Sequence, residues 1–284
     1  MEFIIHKEIF EKYPNLKVGG LVLQGINNTV DSSEIFQKIK REEENIKQKY
    51  DKSKLNEINK ISDWRKAYSS FGAKPKKYKC SVENLLRMAL DDISLKPINP
   101  LVDIYNYFSI KNIIPMGGED LDHVEGDLNL TFAVGDENFI RLKSDKVEHP
   151  NKGEVIYRDS KDVTCRIWNY RECEKTKMTK DTKNALLLVE GLESFDNKDI
   201  FNILEEMEKV ISKYLGGTSK KFILNRNFQK VDLLNIDEKD INLEKLENIN
   251  LDNNENSKKN KKDRKNKNKN SNENNHKPNF DNVH

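Results

Sequence analysis

Long apolar runs are missing from this chain. No stretch approaches the roughly 18 residues that a bilayer-spanning helix needs, so the sequence reads as soluble with no membrane partner. Cysteine is scarce. Cys80, Cys165 and Cys173 show no C-x-x-C spacing and no even framework, which argues against a disulfide scaffold and suits a reducing, cytoplasmic interior. The five histidines, His6, His123, His149, His276 and His284, are scattered, so no metal site and no cofactor are expected. Gly216-Gly217-Thr218-Ser219-Lys220 lacks the spacing of a phosphate-binding loop, and neither a G-x-S-x-G elbow nor an H-E-x-x-H pair occurs. The opening EFIIHKEIF contains acids and is too short for a secretory leader. One sign of charge is not in excess either. The sum is only +2, so any argument for nucleic acid rests on local patches.

Charge itself is plentiful. Charged residues make up 35% of the chain, as do hydrophobic ones, and the polar excess gathers at the C-terminus. Residues 1–235 read as one globular domain and 236–284 as an Asn/Lys-rich tail that cannot offset its ordering entropy and is expected to be disordered. Asp237–Leu251 keeps enough leucine and isoleucine for a transient helix. Lys258–Lys269 is a basic block, either an electrostatic arm for RNA or the product of a codon bias toward Asn and Lys.

Strands are expected at Glu2–Ile5 and Leu16–Gln24, and helices over Ile35–Tyr50, Leu55–Phe71, Val82–Leu90 (capped by Ser81) and Leu101–Ser109. Pro115–Asp120 reads as a turn, and Leu128–Val134 with Asn138–Leu142 as a hairpin across Gly135-Asp136. Three strand-like runs follow, Glu154–Tyr157, Val163–Trp168 and Ala185–Glu190. The last does not alternate, as in a strand buried on both faces. Asn197–Leu215 carries a wide apolar stripe ended by Gly216-Gly217, and Lys220–Leu224 reads as a closing strand. Strands clustered among helices without a βαβ rhythm give an α+β fold, a mixed sheet core with flanking helices.

Asn99–Asp122, NPLVDIYNYFSIKNIIPMGGEDLD, resembles the N-x-V-D-x-x-N-Y segment of the bacterial phenylalanyl-tRNA synthetase β subunit. Thr182–Gly191, with its TKNALLLVEG run, is similar to the later part of the same module, the B3/B4 domain that houses the synthetase's editing site. The lead-in Trp64-Arg65-x-Ala67-Tyr68-x-x-Phe71-Gly72-x-Lys74-Pro75 resembles that of free-standing B3/B4 proteins. The likeness spans roughly Ile61 to Arg226, and no synthetase catalytic domain accompanies it.

That resemblance implies a protein that binds tRNA or aminoacyl-tRNA, with trans-editing hydrolysis of mischarged tRNA as its enzymatic form. Ester hydrolysis needs a positioned water and donors for the oxyanion. Glu190 and His123 are the catalytic candidates, with Glu190 also suited to reading a phenol hydroxyl. Asp120, Thr182, Asn184 and Trp168 are candidates for the pocket. At the place of the family's turn histidine the chain has Gly117, and His123 lies three residues past Asp120. Arg65, Lys74, Lys76, Lys77, Arg166 and Arg171 are the candidate RNA contacts, with Trp168 and Tyr170 as stacking surfaces for unpaired bases. Each has a plainer reading, as an ion-paired arginine, a solvated loop or a core tryptophan. Two alternatives stay open: a pocket for an amino-acid-like small molecule without tRNA, and a non-catalytic interaction module, which is favoured if side chains fill the pocket. No protein partner is evident.

Overall fold

The computed structural model describes residues 1–237. The chain runs β1 (Glu2–Ile5), α1 (Lys7–Lys12), β2 (Lys17–Gln24), α2 (Ser33–Lys49), a 3-10 turn (Lys52–Glu57), α3 (Asn59–Ser70), α4 (Ser81–Leu90) and α5 (Pro100–Asn112). After these come β3 (Met116–Asp120), a 3-10 turn (Leu121–His123), β4 (Leu128–Phe132), β5 (Phe139–Ile140), β6 (Val147–Glu148), β7 (Val155–Arg158), β8 (Val163–Arg166) and β9 (Arg171–Glu172). β10 (Ala185–Gly191), α6 (Asn197–Leu215), β11 (Thr218–Leu224) and β12 (Lys230–Asp232) complete it. The fold is α+β, as expected. Among the described residues no helix is long and apolar enough to cross a membrane.

Local chemistry explains the helix ends. Asn99 accepts from the Val102 amide at the start of α5, whose first residue is Pro100. Asp196 and Asp199 form a reciprocal capping box on α6. A Ser81 cap does not form. Cys80 holds the N-cap position of α4 and the Ser81 hydroxyl is buried without a partner.

Two sheets make the core, ordered β12-β1-β4-β7-β8-β9 and β11-β2-β10-β3. β10 sits between β2 and β3, antiparallel to both, and all seven of its residues are buried. The missing alternation in its sequence therefore reports burial on both faces. Its odd and even residues meet different layers. Val189 lies opposite Gly19, where a Cβ would come within 2.4 Å of Ile200 on α6. Leu188 lies opposite Gly20, over which the Phe222 ring packs, and Phe222 meets Phe3 of the six-stranded sheet at 6.1 Å between centroids. The four-stranded sheet is thus covered by α6 on one side and by the other sheet on the opposite side. Leu186, Leu188 and Glu190 face the second sheet. Burying each leucine contributes about 1.5–3 kcal/mol; burying the glutamate needs compensation.

Several elements differ from expectation. Met116–Asp120 is a strand at the edge of the four-stranded sheet, and Gly117-Gly118 lie within it. Turn chemistry misled here, because Gly118 serves close approach: a Cβ there would stand 2.2 Å from the Leu186 carbonyl oxygen. The hairpin of 128–142 does not form, since β4 pairs with β1 and β7 while β5 pairs with β6. Leu55–Phe71 is divided at Ile58 between the 3-10 turn and α3. The short α1 helix is an addition to the expected elements. Ile236 is buried against the core. The readings of a transient helix from 237, of a disordered tail and of the basic block 258–269 fall, but for residues 236 and 237, outside the described residues.

Candidate functional site

The even-numbered face of β10 carries Glu190 into the space between the sheets. A buried carboxylate is costly unless hydrogen-bonded, and Glu190 receives three donors. Tyr157 hydroxyl and Trp168 Nε1 reach Oε1 at 2.6 and 2.7 Å, and Asn169 Nδ2 reaches Oε2 at 2.8 Å. These donors favour the ionised form, yet desolvation outweighs them and the Glu190 pKa is raised.

Trp168 and Asn169 are aimed at Glu190 by an unusual turn after β8. Ile167 and Trp168 both take left-handed backbone angles, with φ of 51° and 63°, a conformation costing non-glycine residues roughly 1–2 kcal/mol each. Glu154 holds the turn. Its Oε1 accepts from the Ile167 amide at 3.0 Å, and its two oxygens take Arg166 Nε and Nη2, each at 3.0 Å. The Trp168 amide donates to the Val155 carbonyl at 2.7 Å. Below, Asn169 Oδ1 accepts the Tyr68 hydroxyl at 2.9 Å, and the Trp168 ring meets Trp64 edge-on at 4.9 Å. Strain held this firmly from several sides is typical of functional sites.

Beside Glu190 lies a cavity of about 30 Å³, lined among others by Gly117, Glu119, Tyr157, Trp168 and Glu172. It opens where the two sheets end together, since β3 and β9 are the edge strands of their sheets. Glu119 lies opposite Leu186 and so shares the face of Glu190. Glu172 reaches across from β9; a Cβ on Gly117 would lie 3.3 Å from its Oε1. Glu119 Oε2 accepts the Thr176 hydroxyl, whereas the Glu172 carboxyl has no hydrogen-bond or ion-pair partner among the described residues. Desolvation pushes Glu119 up to about 8 and Glu172 up to about 7. No lysine or arginine among the described residues offsets either. Cys165 also lines the cavity, and burial raises its thiol pKa well above the usual range, which makes it a poor nucleophile.

The candidate residues divide between two places. Trp168 and Glu190 line the cavity. Asp120, Thr182, Asn184 and His123 gather at the other end of β10. There Asp120 accepts the Thr182 hydroxyl at 2.6 Å, Asn184 donates to Asp122 at 2.8 Å, and His123 Nδ1 lies 3.3 Å from Asp120. Asp120 pairs with Ala185, five residues from Glu190, or roughly 17 Å of extended strand. It also points to the opposite face. His123, with its side chain 60% exposed, therefore shares no site with Glu190. This second cluster tethers the turn after β3 to the turn before β10.

The expected RNA contacts divide as well. Arg65 and Arg87 both pair with fully buried Glu83 at 2.8 Å, and Arg166 is bound to Glu154, so neither Arg65 nor Arg166 presents a free cation. Trp168 is fully buried and offers no stacking surface. Lys74, Lys76 and Lys77 are exposed and do not line the cavity. Lys77 lies over Tyr78 at 4.9 Å, Tyr78 meets Tyr170 edge-on at 5.3 Å, and Arg171 covers Tyr170 at 5.0 Å. That cation–aromatic row ends one residue from Asn169 and one from Glu172. Sequence reasoning missed Glu119, Glu172, Tyr157 and Asn169 as site residues. Reading Met116–Asp120 as a strand facing β10 would have exposed Glu119; Glu172 carries no local signal. Among the described residues no group of three or more His, Cys, Asp and Glu side chains could hold a metal ion.

A family model described as the B3/4 domain matches residues 63–214, more than half of the chain. Among solved structures, an N-terminal fragment of the phenylalanyl-tRNA synthetase β-subunit from Pyrococcus horikoshii is similar, with a TM-score of 0.40 and 13% identity. That match covers 77% of this chain and 49% of the fragment, so the chain spans about half the fragment's length. No curated protein matches.

Proposed function

The chain belongs to the B3/4 domain family, and from that premise we propose that it binds the aminoacyl end of a tRNA and hydrolyses the ester there. The observation that carries this reading is the edge cavity, where Glu172 and Glu119 titrate near neutral pH beside a fixed Glu190. A carboxyl poised near 7 suits proton transfer at working pH. Glu172, at the edge strand and without a partner among the described residues, takes a proton from water as the water attacks the ester carbonyl carbon. The acyl–oxygen bond then breaks and the ribose hydroxyl leaves with that proton. Glu190, already holding three donors, fixes the floor and is a positioning residue. The Tyr78–Tyr170 row with Lys77 and Arg171 supplies stacking and charge for the unpaired nucleotides.

A volume of about 30 Å³ admits one or two waters and no amino-acid side chain. The side chain therefore stays outside, and the activity is broad across amino acids rather than selective for tyrosine. The test is amino-acid release from a panel of aminoacyl-tRNAs, correctly and incorrectly charged. The reading predicts release from several, abolished in Glu172→Gln. No release from any charged tRNA rejects it. A second reading, hydrolysis of free amino-acid esters without tRNA, is favoured by the absence of Lys74, Lys76 and Lys77 from the cavity wall. Release from free amino-acid methyl esters at an equal rate would select it.

A further inference from the structure

Among the described residues the edge cavity is lined by three carboxyls and no cation, and its volume admits one or two small polar groups. Acceptor capacity is left over. Among the described residues Glu172 has no donor on either oxygen, and Glu190 Oε2 has only Asn169. Glu119 has the Thr176 hydroxyl on Oε2, while the buried Thr164 hydroxyl faces it without closing a hydrogen bond. Among the described residues the other titratable groups facing these acids are Tyr157, Cys165, Tyr105, Cys173 and, farther off, Asp159, all neutral or negative. The glutamate without a partner is the one on the edge strand, beside the opening.

We propose that this cavity takes a primary ammonium group, held by Glu119 and Glu172, and that in an aminoacyl ligand it receives the α-ammonium. A primary ammonium presents three donors and no acceptor, close to a water molecule in size, which matches the cavity in volume and in chemistry. Its arrival supplies the missing counter-charge, so the two carboxyls give up protons they otherwise retain near neutral pH. Ligand binding and ionisation of the base are thereby coupled: an unblocked aminoacyl ester ionises Glu172, and an N-acylated one does not. This rests on the hydrolytic reading only for the identity of the ligand; the ammonium site itself does not require tRNA.

The test follows carboxyl carbons of protein labelled with carbon-13 glutamate through a pH titration, with signals assigned by Glu119→Gln and Glu172→Gln. Glu172 is unpartnered and at an edge, so its variant retains the fold. Phenethylammonium chloride is the probe, N-acetylphenethylamine the uncharged control, and potassium chloride the ionic control. The proposal predicts that the Glu119 and Glu172 midpoints, about 8 and about 7, fall by about one unit or more with phenethylammonium alone. Unchanged midpoints, or equal shifts with either control, would overturn it. Paired with the tRNA assay the outcomes separate. A shift with no deacylation supports the ammonium site while rejecting the hydrolytic reading. Equal deacylation of N-acetylated and free aminoacyl-tRNA overturns the ammonium site and leaves hydrolysis standing.

Discussion

Tyr157 donates its phenol hydroxyl to Glu190 Oε1 at 2.6 Å, so the hydrogen bond a ligand tyrosine would make with that carboxylate is already made within the chain. In the proposed function the chemistry therefore lies with Glu119 and Glu172 rather than with Glu190.

Removing that hydroxyl tests the structural half of the claim. Tyr157→Phe leaves Oε1 with Trp168 alone and costs about 0.5–3 kcal/mol, the range spanning hydrogen bonds to neutral and to charged groups. Urea unfolding measures it. A change below about 0.5 kcal/mol, the scale of a neutral surface substitution, would mean that the bond contributes nothing.

Stability should fall as pH rises through neutrality. Glu119 and Glu172 titrate at about 8 and about 7 in the fold, against 4.5 in the unfolded chain. The native state therefore keeps protons that the unfolded state has lost. The associated stability is complete below 4.5 and is lost as pH climbs to each folded pKa. Each retained proton contributes a slope of about 1.4 kcal/mol per pH unit. Urea unfolding between about pH 5 and 9 should show the decline, and Glu119→Gln should make it shallower below about 7 and remove the Glu119 share between about 7 and about 8.

The turn at Ile167-Trp168 depends on Glu154. Glu154→Ala leaves Arg166 with only its longer 3.4 Å pair to Glu148 and frees the Ile167 amide, and breaking a pair this buried costs about 3–5 kcal/mol. By contrast Lys77→Ala, at an exposed site, should change stability by less than about 0.5 kcal/mol. Thermal unfolding of both variants distinguishes scaffold from surface; equal losses would contradict the assignment.

The surface prediction concerns salt. Replacing Lys74, Lys76 and Lys77 by alanine should reduce the slope of log K for tRNA against log salt by about 0.7 for each single-strand phosphate that these lysines neutralise. Filter binding across salt concentrations measures it. An unchanged slope would remove the connector from the interface.

Much of the scaffold was legible in the sequence. The non-alternating Ala185–Glu190 run correctly signalled burial on both faces of β10, and the apolar stripe of α6 and its end at Gly216 were as plain. Glu190 stood out as a carboxylate at the end of an apolar strand, suited to reading a phenol hydroxyl, and the alternative of a surface glutamate does not hold, since it is buried. The rest depended on distant pairing. A Gly-Gly pair reads as a turn until the backbone that approaches Gly118 is known. Arg65 and Arg166 look like RNA contacts until Glu83 and Glu154 are seen beneath them. Glu172 differs from any surface glutamate only because β9 and β3 end side by side, and no local pattern encodes that.

The most direct measurement is the pH dependence of amino-acid release from aminoacyl-tRNA by the full chain, beside Glu172→Gln. The account predicts release that rises through the ionisation of Glu172, whose midpoint is about 7 in the free protein, and loss of that dependence together with the activity in the variant. Release that proceeds unchanged in Glu172→Gln would contradict it.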